Sequence, residues 1–236
     1  MPQAGGPHSA FRTRSILGQD DRRRGCFQPV EMDMSKLSAH SPACGPDCTD
    51  PDDPAADCMI FGRILAIAAA DGTRTMLQAL ALTKADLAEM AARHAPQFAA
   101  AVASLPDQPE TGEDAIEEAD LRAFLADHGV RGTDEERWLA AILARRSLEP
   151  NHLWQDMGFH HRGELNTMFR RHFPALVALN AGDMKWKKFF YRQLCEREGL
   201  MLCKSPNCEV CDDVEVCFGE ETGDPLATLS RLARAG

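Results

Sequence analysis

The sequence predicts an all-α protein, in which a compact multi-helix domain is followed by an irregular, cysteine-rich loop. Only 6% of the 236 residues are aromatic and a single tyrosine is present, whereas strands favour aromatic and β-branched residues. No alternating polar and apolar segment is long enough to predict a strand. Apolar residues instead recur at helical spacing as far as residue 199, and the pattern stops where the cysteines concentrate.

Composition and charge exclude several broad classes of protein. The net charge of −10 argues against non-specific binding of nucleic acid. No apolar run approaches the roughly 18 residues that a membrane span needs. Residues 1–25 are rich in arginine but contain no apolar core of a signal peptide. We therefore expect a cytoplasmic protein with neither nucleic acid nor membrane as a partner, in which cysteines stay reduced.

Changes of composition divide the chain into four predicted segments. Residues 1–54 are rich in Arg, then in Pro, Asp and Ser, and are predicted to be a disordered or irregular tail. Residues 55–199 are predicted to form the helical domain. Residues 200–221 form the cysteine-rich segment, and residues 222–236 a C-terminal tail.

The first helices are predicted from apolar runs and from their boundary residues. Residues 55–70 are apolar and Ala-rich, and an Asp-Gly pair ends them. Thr83 and Asp86 have the spacing of a capping box, and the helix behind them is expected to end before Pro96.

The middle of the chain begins with an acidic segment. Residues 107–120 contain seven acidic residues and no basic residue, and we interpret them either as a docking segment or as a solvated linker running into a helix. An apolar stripe follows, formed by Leu121, Phe124 and Leu125. Thr133 and Glu136 then have capping-box spacing, and the helix behind them has one apolar face, formed by Trp138, Leu139, Ile142 and Leu143.

Four further helices are predicted before the cysteines. Asn151 can cap a short one, and the next covers residues 162–172, with an aligned face of Leu165, Met168, Phe169 and His172. Pro174 suits the first turn of a helix that reaches residue 180. The last one is predicted over residues 183–198, with Gly199 as its stop.

Four of the nine cysteines lie close together. Residues 203 to 217 read CKSPNCEVCDDVEVC, which spaces the cysteines as C-x4-C-x2-C-x5-C. The segment has too few other apolar residues to bury four thiols, and exposed free thiols are reactive. The pattern therefore predicts a metal or cluster site. Its predicted ligands are Cys203, Cys208, Cys211 and Cys217.

The spacing favours an iron–sulfur cluster over zinc. Structural zinc prefers two cysteine pairs separated by a longer spacer, whereas here only Cys208 and Cys211 form a close pair. A single short loop of thiolates is typical of iron–sulfur ligation, and cluster nuclearity stays open. Acidic residues interleave with the ligands, which predicts a low reduction potential. These acids suit docking to a basic partner, or alternatively they keep the loop soluble.

The helix before the motif has two distinct faces. Trp186, Phe190 and Leu194 share a predicted buried face, with Phe189 at its edge. A basic stripe lies beside Cys195 and consists of Lys185, Lys188 and Arg192. We interpret this stripe either as a solvated face with Cys195 at its boundary, or as a contact for an oxyanion or a partner, with Cys195 as a thiol of lowered pKa.

Three histidines flank the preceding helix. His160, His161 and His172 are interpreted either as structural residues or as nitrogen ligands to a second metal. The sequence does not distinguish these two roles.

The second half of the chain resembles the NifQ family of nitrogen-fixation proteins. The resemblance is carried by HLWQDMGF, by RGELNTMFRRHFPALVALNAGDMKWKKFFYRQLCEREG and by the cysteine segment that follows. It is strong over residues 151–219 and extends through the helical part from residue 58. The combination of RHFPAL, WKKFFYR and the cysteine spacing is specific, while the cysteine spacing alone is less so.

The resemblance implies a function in molybdenum handling. Family members are iron–sulfur proteins that act in the synthesis of the nitrogenase iron–molybdenum cofactor and supply molybdenum to the cofactor-assembly proteins as a molybdenum–iron–sulfur species. Cys203, Cys208, Cys211 and Cys217 occupy the family's four motif positions. Molybdenum arrives as molybdate, which the basic stripe, or Arg170 and Arg171, would attract.

Two other functions remain as alternatives. A zinc-stabilised helical interaction module would use the same four thiolates for a structural ion. A redox enzyme would use the cluster for electron transfer. The sequence contains no nucleotide-binding loop or catalytic triad, so we expect a carrier and donor rather than an enzyme.

Overall fold

The structure is a computed structural model and describes residues 53–107, 116–199 and 214–221. The predicted N-terminal tail up to residue 52, residues 108–115 of the acidic segment, and the predicted C-terminal tail from residue 222 lie outside the described residues. So do Cys203, Cys208 and Cys211.

Every regular element within the described ranges is helical, which confirms the all-α prediction. None of these helices combines the length and apolar character that a membrane span requires. Eleven α-helices are assigned there, and a single 3-10 turn, Pro96–Phe98, leads into the fourth. Their bounds are α1 Pro54–Ala69, α2 Met76–Leu80, α3 Lys84–His94, α4 Ala99–Ala103, α5 Ile116–Ala126, α6 Asp134–Ser147, α7 Leu153–Asp156, α8 Arg162–His172, α9 Pro174–Leu179, α10 Trp186–Arg197 and α11 Val214–Phe218.

Helix α6 is the centre of the helical core. It packs against α5, α2 and α7, while α1 packs on α2 and α3, and α10 packs on α5. The sequence predicts one apolar face for α6, and the four residues of that face are fully buried. The remaining faces of its second half are buried as well, including those that carry Arg145 and Arg146. The predicted apolar face is therefore confirmed, and burial extends beyond it in the second half of the helix, where neighbouring helices cover the other faces as well.

Side-chain caps mark the starts of several described helices, among them α1, α2, α3 and α6. The side chains of Thr83 and Thr133 accept hydrogen bonds from the main-chain N–H groups three residues later, as predicted. Glu136 does not complete the second capping box. Its carboxylate reaches past Thr133 and accepts from the main-chain N–H groups of Arg131 and Gly132, at 2.9 and 2.8 Å.

Three local predictions are corrected by the structure. The cap of α7 is His152, one residue after the predicted Asn151, whose amide donates instead to Asp156 at 2.8 Å. Helix α10 begins at Trp186, not at Asp183, which has a positive φ of 54° in the preceding turn. The sequence predicts no helix at α2, although Thr75 and Gln78 form a capping box there.

Helices α8 and α10 form the aromatic part of the core. Trp186 stacks on Phe169 with 3.8 Å between ring centroids, and its indole N–H donates to Asn166 at 2.7 Å. Phe189 and Phe190 complete the cluster, and all four rings are buried. This confirms the burial predicted for Trp186 and Phe190 and fixes the start of α10 against α8, while Leu194 of the predicted face is only partly buried and Phe189, predicted at its edge, is buried.

A buried ion pair joins α5 to α6. Arg145 donates through Nε to Glu118 at 3.0 Å and through Nη1 to the carbonyl of Gln78 at 2.9 Å. Neither side chain is more than 2% exposed. Removing one partner of a buried pair leaves the other charge uncompensated, which is far more costly than losing a surface pair.

We predict that Glu118→Ala lowers the free energy of unfolding by roughly 3–5 kcal/mol, as measured by urea denaturation. Glu117→Ala is the matched control, because Glu117 lies on the same helix turn but is exposed. Its effect should stay within about 0.5 kcal/mol. Equal losses for the two variants would contradict the assigned importance of this pair.

Candidate metal centre

One motif cysteine, Cys217, lies within the described residues. It belongs to α11, whereas the sequence predicts an irregular segment there. Its side chain is partly buried, and both Cys217 and Phe218 pack against the hydrophobic core. The ring of Phe218 lies over Gly182, where an added Cβ would come within 3.5 Å of it. The fourth predicted ligand is therefore attached to the helical domain.

Lys185 holds the main chain of α11 through two hydrogen bonds. Its main-chain N–H donates to the carbonyl of Cys217 at 2.8 Å, and its ammonium group donates to the carbonyl of Glu215 at 3.1 Å. The last carbonyls of a helix have no partner within the helix. The carbonyl of Cys217 is such a group, and Lys185 supplies its donor. The carbonyl of Glu215 also accepts from the N–H of Gly219 at 2.9 Å, so the ammonium group of Lys185 adds a second donor there and helps to hold the helix that carries Cys217.

The turn that presents Lys185 is fixed by a buried amide. The side chain of Asn180 donates to the carbonyl of Met184 at 2.8 Å and accepts from the N–H of Met184 at 2.9 Å. Asn180 is 8% exposed. A side-chain amide that makes both bonds to one residue behaves like a second main chain, so it defines the path of the turn.

Arg162, at the start of α8, supports the same turn from outside. Its Nη2 donates to the carbonyl of Asp183 at 2.9 Å, to the carboxylate of Asp183 at 2.9 Å, and to the carbonyl of Met184 at 3.0 Å. Its Nη1 lies 3.7 Å from the carboxylate of Glu221, which also lies 3.6 Å from Nδ1 of His152. The Glu221 side chain is only 6% exposed. Arg162 thus contacts both the turn and the segment that follows Cys217.

The predicted basic stripe does not act as one surface. Lys185 is engaged with α11, and Arg192 pairs with Glu196 at 2.7 Å. Lys188 is exposed. Of the other predicted anion contacts, Arg171 is buried and forms a bidentate pair with Asp57 at 2.7 and 2.8 Å. Arg170 is exposed and donates to Thr167.

His172 is a core residue. It is 2% exposed, and its Nε2 lies 3.0 Å from the carboxylate of Asp57 on α1. Burial alone would raise the pKa of Asp57, but hydrogen bonds from His172 and Arg171, with their charges, lower that pKa well below its ordinary value. The Asp57, Arg171 and His172 side chains therefore join the first helix to α8.

The remaining candidate ligands are not gathered into a site. His160 and His161 are exposed, and Cys195 is partly buried on α10. Within the described ranges, no group of three or more His, Cys, Asp or Glu side chains is arranged to hold a metal ion. A metal site here depends on residues 203–211, which lie outside those ranges.

A largely buried group of charges lies near the start of α10, and no sequence pattern predicted it. The ammonium group of Lys187 donates to the carboxylate of Asp156 and to the carbonyl of Glu149, both at 2.6 Å. Burial lowers the pKa of Lys187 and raises that of Asp156. Arg146 is buried beside them, and two of its guanidinium nitrogens have no hydrogen-bond partner within the described part of the chain.

A cleft of about 440 Å³ lies between α3, α5 and α6. Two arginines line it, but both are already paired: Arg137 with Asp86 and Asp134, and Arg122 with Glu118. The carboxylates that share the cleft balance its positive charge. The cleft therefore offers no excess positive charge to an oxyanion.

Comparison with known proteins identifies the family. The NifQ family model matches residues 60–219, which include the whole cysteine motif and most of the helical core. The chain belongs to the NifQ family. The family assignment places the chain among proteins involved in nitrogen fixation.

Individual NifQ proteins are similar over most of the same region. The Rhodobacter capsulatus protein NifQ is 45% identical over 155 residues, which cover 64% of this chain and 82% of that protein. The Azotobacter vinelandii protein NifQ is 40% identical over 162 residues, covering 64% and 83%. A NifQ homolog from Sinorhizobium fredii is 37% identical over 161 residues, covering 68% and 70%. No solved structure matches the chain.

We predict that Asp57→Asn lowers the free energy of unfolding at pH 7 by about 3 kcal/mol. The pKa of Asp57 is depressed in the folded protein. The contribution of the Asp57 carboxylate to the free energy of unfolding is therefore complete above about pH 5. It is lost as pH falls below about 4, the ordinary pKa of aspartate. The difference between wild type and variant should be constant from pH 7 to pH 5 and should shrink towards pH 3.

The control for this prediction is Asp127→Asn, which removes an exposed carboxylate paired with Arg197. Denaturation across the pH series should give a small difference for this variant. An Asp57→Asn difference that stays unchanged down to pH 3 would show that the carboxylate charge is not what stabilises the contact.

Proposed function

We propose that this chain is an iron–sulfur metallocluster carrier that binds and processes molybdenum and donates it for synthesis of the nitrogenase iron–molybdenum cofactor. The observation that supports it most directly is a four-cysteine motif on a NifQ-family chain, with its fourth cysteine attached to the helical core. The proposed function is that of a carrier and donor, not of an enzyme.

The donor set fits an iron–sulfur cluster. Four thiolates are the usual ligands of such clusters, and the proposed ligands are Cys203, Cys208, Cys211 and Cys217. Cys217 lies on α11, which accepts hydrogen bonds from Lys185. After this helix, the carboxylate of Glu221 lies 3.7 Å from the guanidinium group of Arg162. The ammonium group of Lys185 would partly compensate the negative charge that thiolates bring to this end of the domain.

Molybdenum is the cargo in this proposal. Molybdate is an oxyanion, and the exposed cations of Lys188 and Arg170 would favour its approach. When bound, an iron–sulfur core would supply soft sulfide ligands for molybdenum. The chain's own residues would hold that core and keep one side of it accessible for release.

Release implies an acceptor among the nitrogenase cofactor-assembly proteins. Glu215 on α11 has an exposed carboxylate, and further acidic residues lie between the cysteines in the sequence; in this proposal their negative charge would surround the cluster. Such negative charge would select a basic face on the acceptor, since opposite charges steer association.

Metal analysis of anaerobically purified protein tests the proposal. We expect iron and acid-labile sulfide in a brown sample, with molybdenum bound after exposure to molybdate. One zinc per chain without sulfide or visible absorbance would overturn the cluster assignment and favour the zinc-stabilised interaction module.

We predict that replacing any one of Cys203, Cys208, Cys211 or Cys217 by Ala abolishes stable cluster loading, because each removes one of four ligands. Iron and sulfide per chain, with the visible spectrum, are the measurement. Cys195→Ala is the matched control and should retain wild-type iron, since it lies on α10 outside the motif. Wild-type iron content in all four motif variants would contradict the ligand assignment.

A further inference from the structure

We propose that Lys185 is a positioning residue for Cys217, and that the helical domain holds this one cysteine in place before any cluster binds. The proposal rests on the proposed function, because it assumes that Cys217 is a cluster ligand. It adds that Cys217 is pre-positioned by contacts within the helical domain.

Contacts on both sides of Cys217 carry this inference. Its own carbonyl accepts from the N–H of Lys185 at 2.8 Å, and the carbonyl of Glu215 accepts from the ammonium group of Lys185 at 3.1 Å. After it, Phe218 packs on the core and Glu221 is almost fully buried near Arg162. All of these contacts involve protein groups alone, so none of them requires a metal.

Lys185 has this effect because its own main chain is fixed. Asn180 holds Met184 by two buried hydrogen bonds, and Arg162 binds the carbonyls of Asp183 and Met184. Lys185 follows Met184, so its main-chain N–H is held in the direction of the Cys217 carbonyl. The ammonium group adds a second, charge-assisted bond, which is stronger than a neutral one.

Pre-positioning one ligand has a thermodynamic consequence. Ordering a segment on binding costs conformational entropy, and a ligand that is already in place avoids its share of that cost. The positive charge of Lys185 also lies beside α11, where it would favour the more reduced, more negatively charged state of a cluster held by Cys217. Lys185 is thus expected to affect both loading and reduction potential.

Alkylation of the full, metal-free chain under anaerobic conditions tests the apo arrangement. Iodoacetamide labelling of Cys217, followed by peptide mass spectrometry, should be severalfold slower in the native protein than in the same protein in concentrated urea. Lys185→Met should raise the native rate severalfold. Lys185→Arg should restore most of the protection, because it keeps a cationic donor.

Lys188→Met is the matched control, since it removes an exposed cation one turn further along α10. It should leave the labelling rate of Cys217 unchanged. Native labelling of wild type as fast as in urea would overturn the proposal without reference to any variant. Equal acceleration by Lys185→Met and Lys188→Met would overturn the specific role of Lys185.

The reconstituted protein supplies a readout that a purely structural role would not change. The reduction potential of the cluster should fall in Lys185→Met and stay near the wild-type value in Lys185→Arg. An unchanged potential in Lys185→Met would overturn the electrostatic part of the proposal. Protection of Cys217 without iron loading would overturn the proposed function and leave the apo arrangement standing. Iron loading without protection of Cys217 would overturn the apo arrangement and leave the proposed function standing.

Discussion

The pair of hydrogen bonds between the side chain of Asn180 and the main chain of Met184 is the contact on which the described site depends. It closes a turn in which Asp183 has a left-handed conformation, an unfavourable state for most residues. Arg162 binds the carbonyls that this turn exposes. Without that geometry, the N–H of Lys185 would have no fixed direction, and Cys217 would lose its hydrogen bond to the helical domain.

Many basic residues of this chain stabilise the fold instead of forming a binding surface. Arg145 pairs with buried Glu118, Arg171 with Asp57, and Lys187 with Asp156. Each basic group has a carboxylate on another helix, so helices α1, α5 and α10 are joined to their neighbours through paired charges. A buried pair adds little net stability but penalises any packing that separates it. A chain with negative net charge thus places several of its cations in the interior, each paired with a carboxylate.

The sequence predicted those elements whose signals are local. Helix α8 has the predicted limits, because apolar spacing and the following proline both act within a few residues. Asp183 was expected to start a helix, but its carboxylate accepts a hydrogen bond from Arg162, twenty-one residues earlier. A local sequence pattern cannot predict such a distant contact. The cysteine spacing predicted a ligand set. It did not predict that Cys217 lies on a short helix held by Lys185, since that helix is stabilised by tertiary contacts and is too short to form alone.

A carrier has to hold its cluster and also release what the cluster carries, and these needs conflict if all ligands are equally rigid. In the proposed function, a ligand fixed to a stable domain would keep the cluster attached while other coordination positions change. The fixed ligand belongs next to the rigid part of the fold, and Cys217 lies there, between the Asn180 turn and the buried Glu221. Because Lys185 reaches α11 through its main chain and its side chain separately, substitution of the side chain leaves one bond of the two. Substitution of the Lys185 side chain should therefore loosen Cys217 only in part, and would change how firmly the proposed cluster is held.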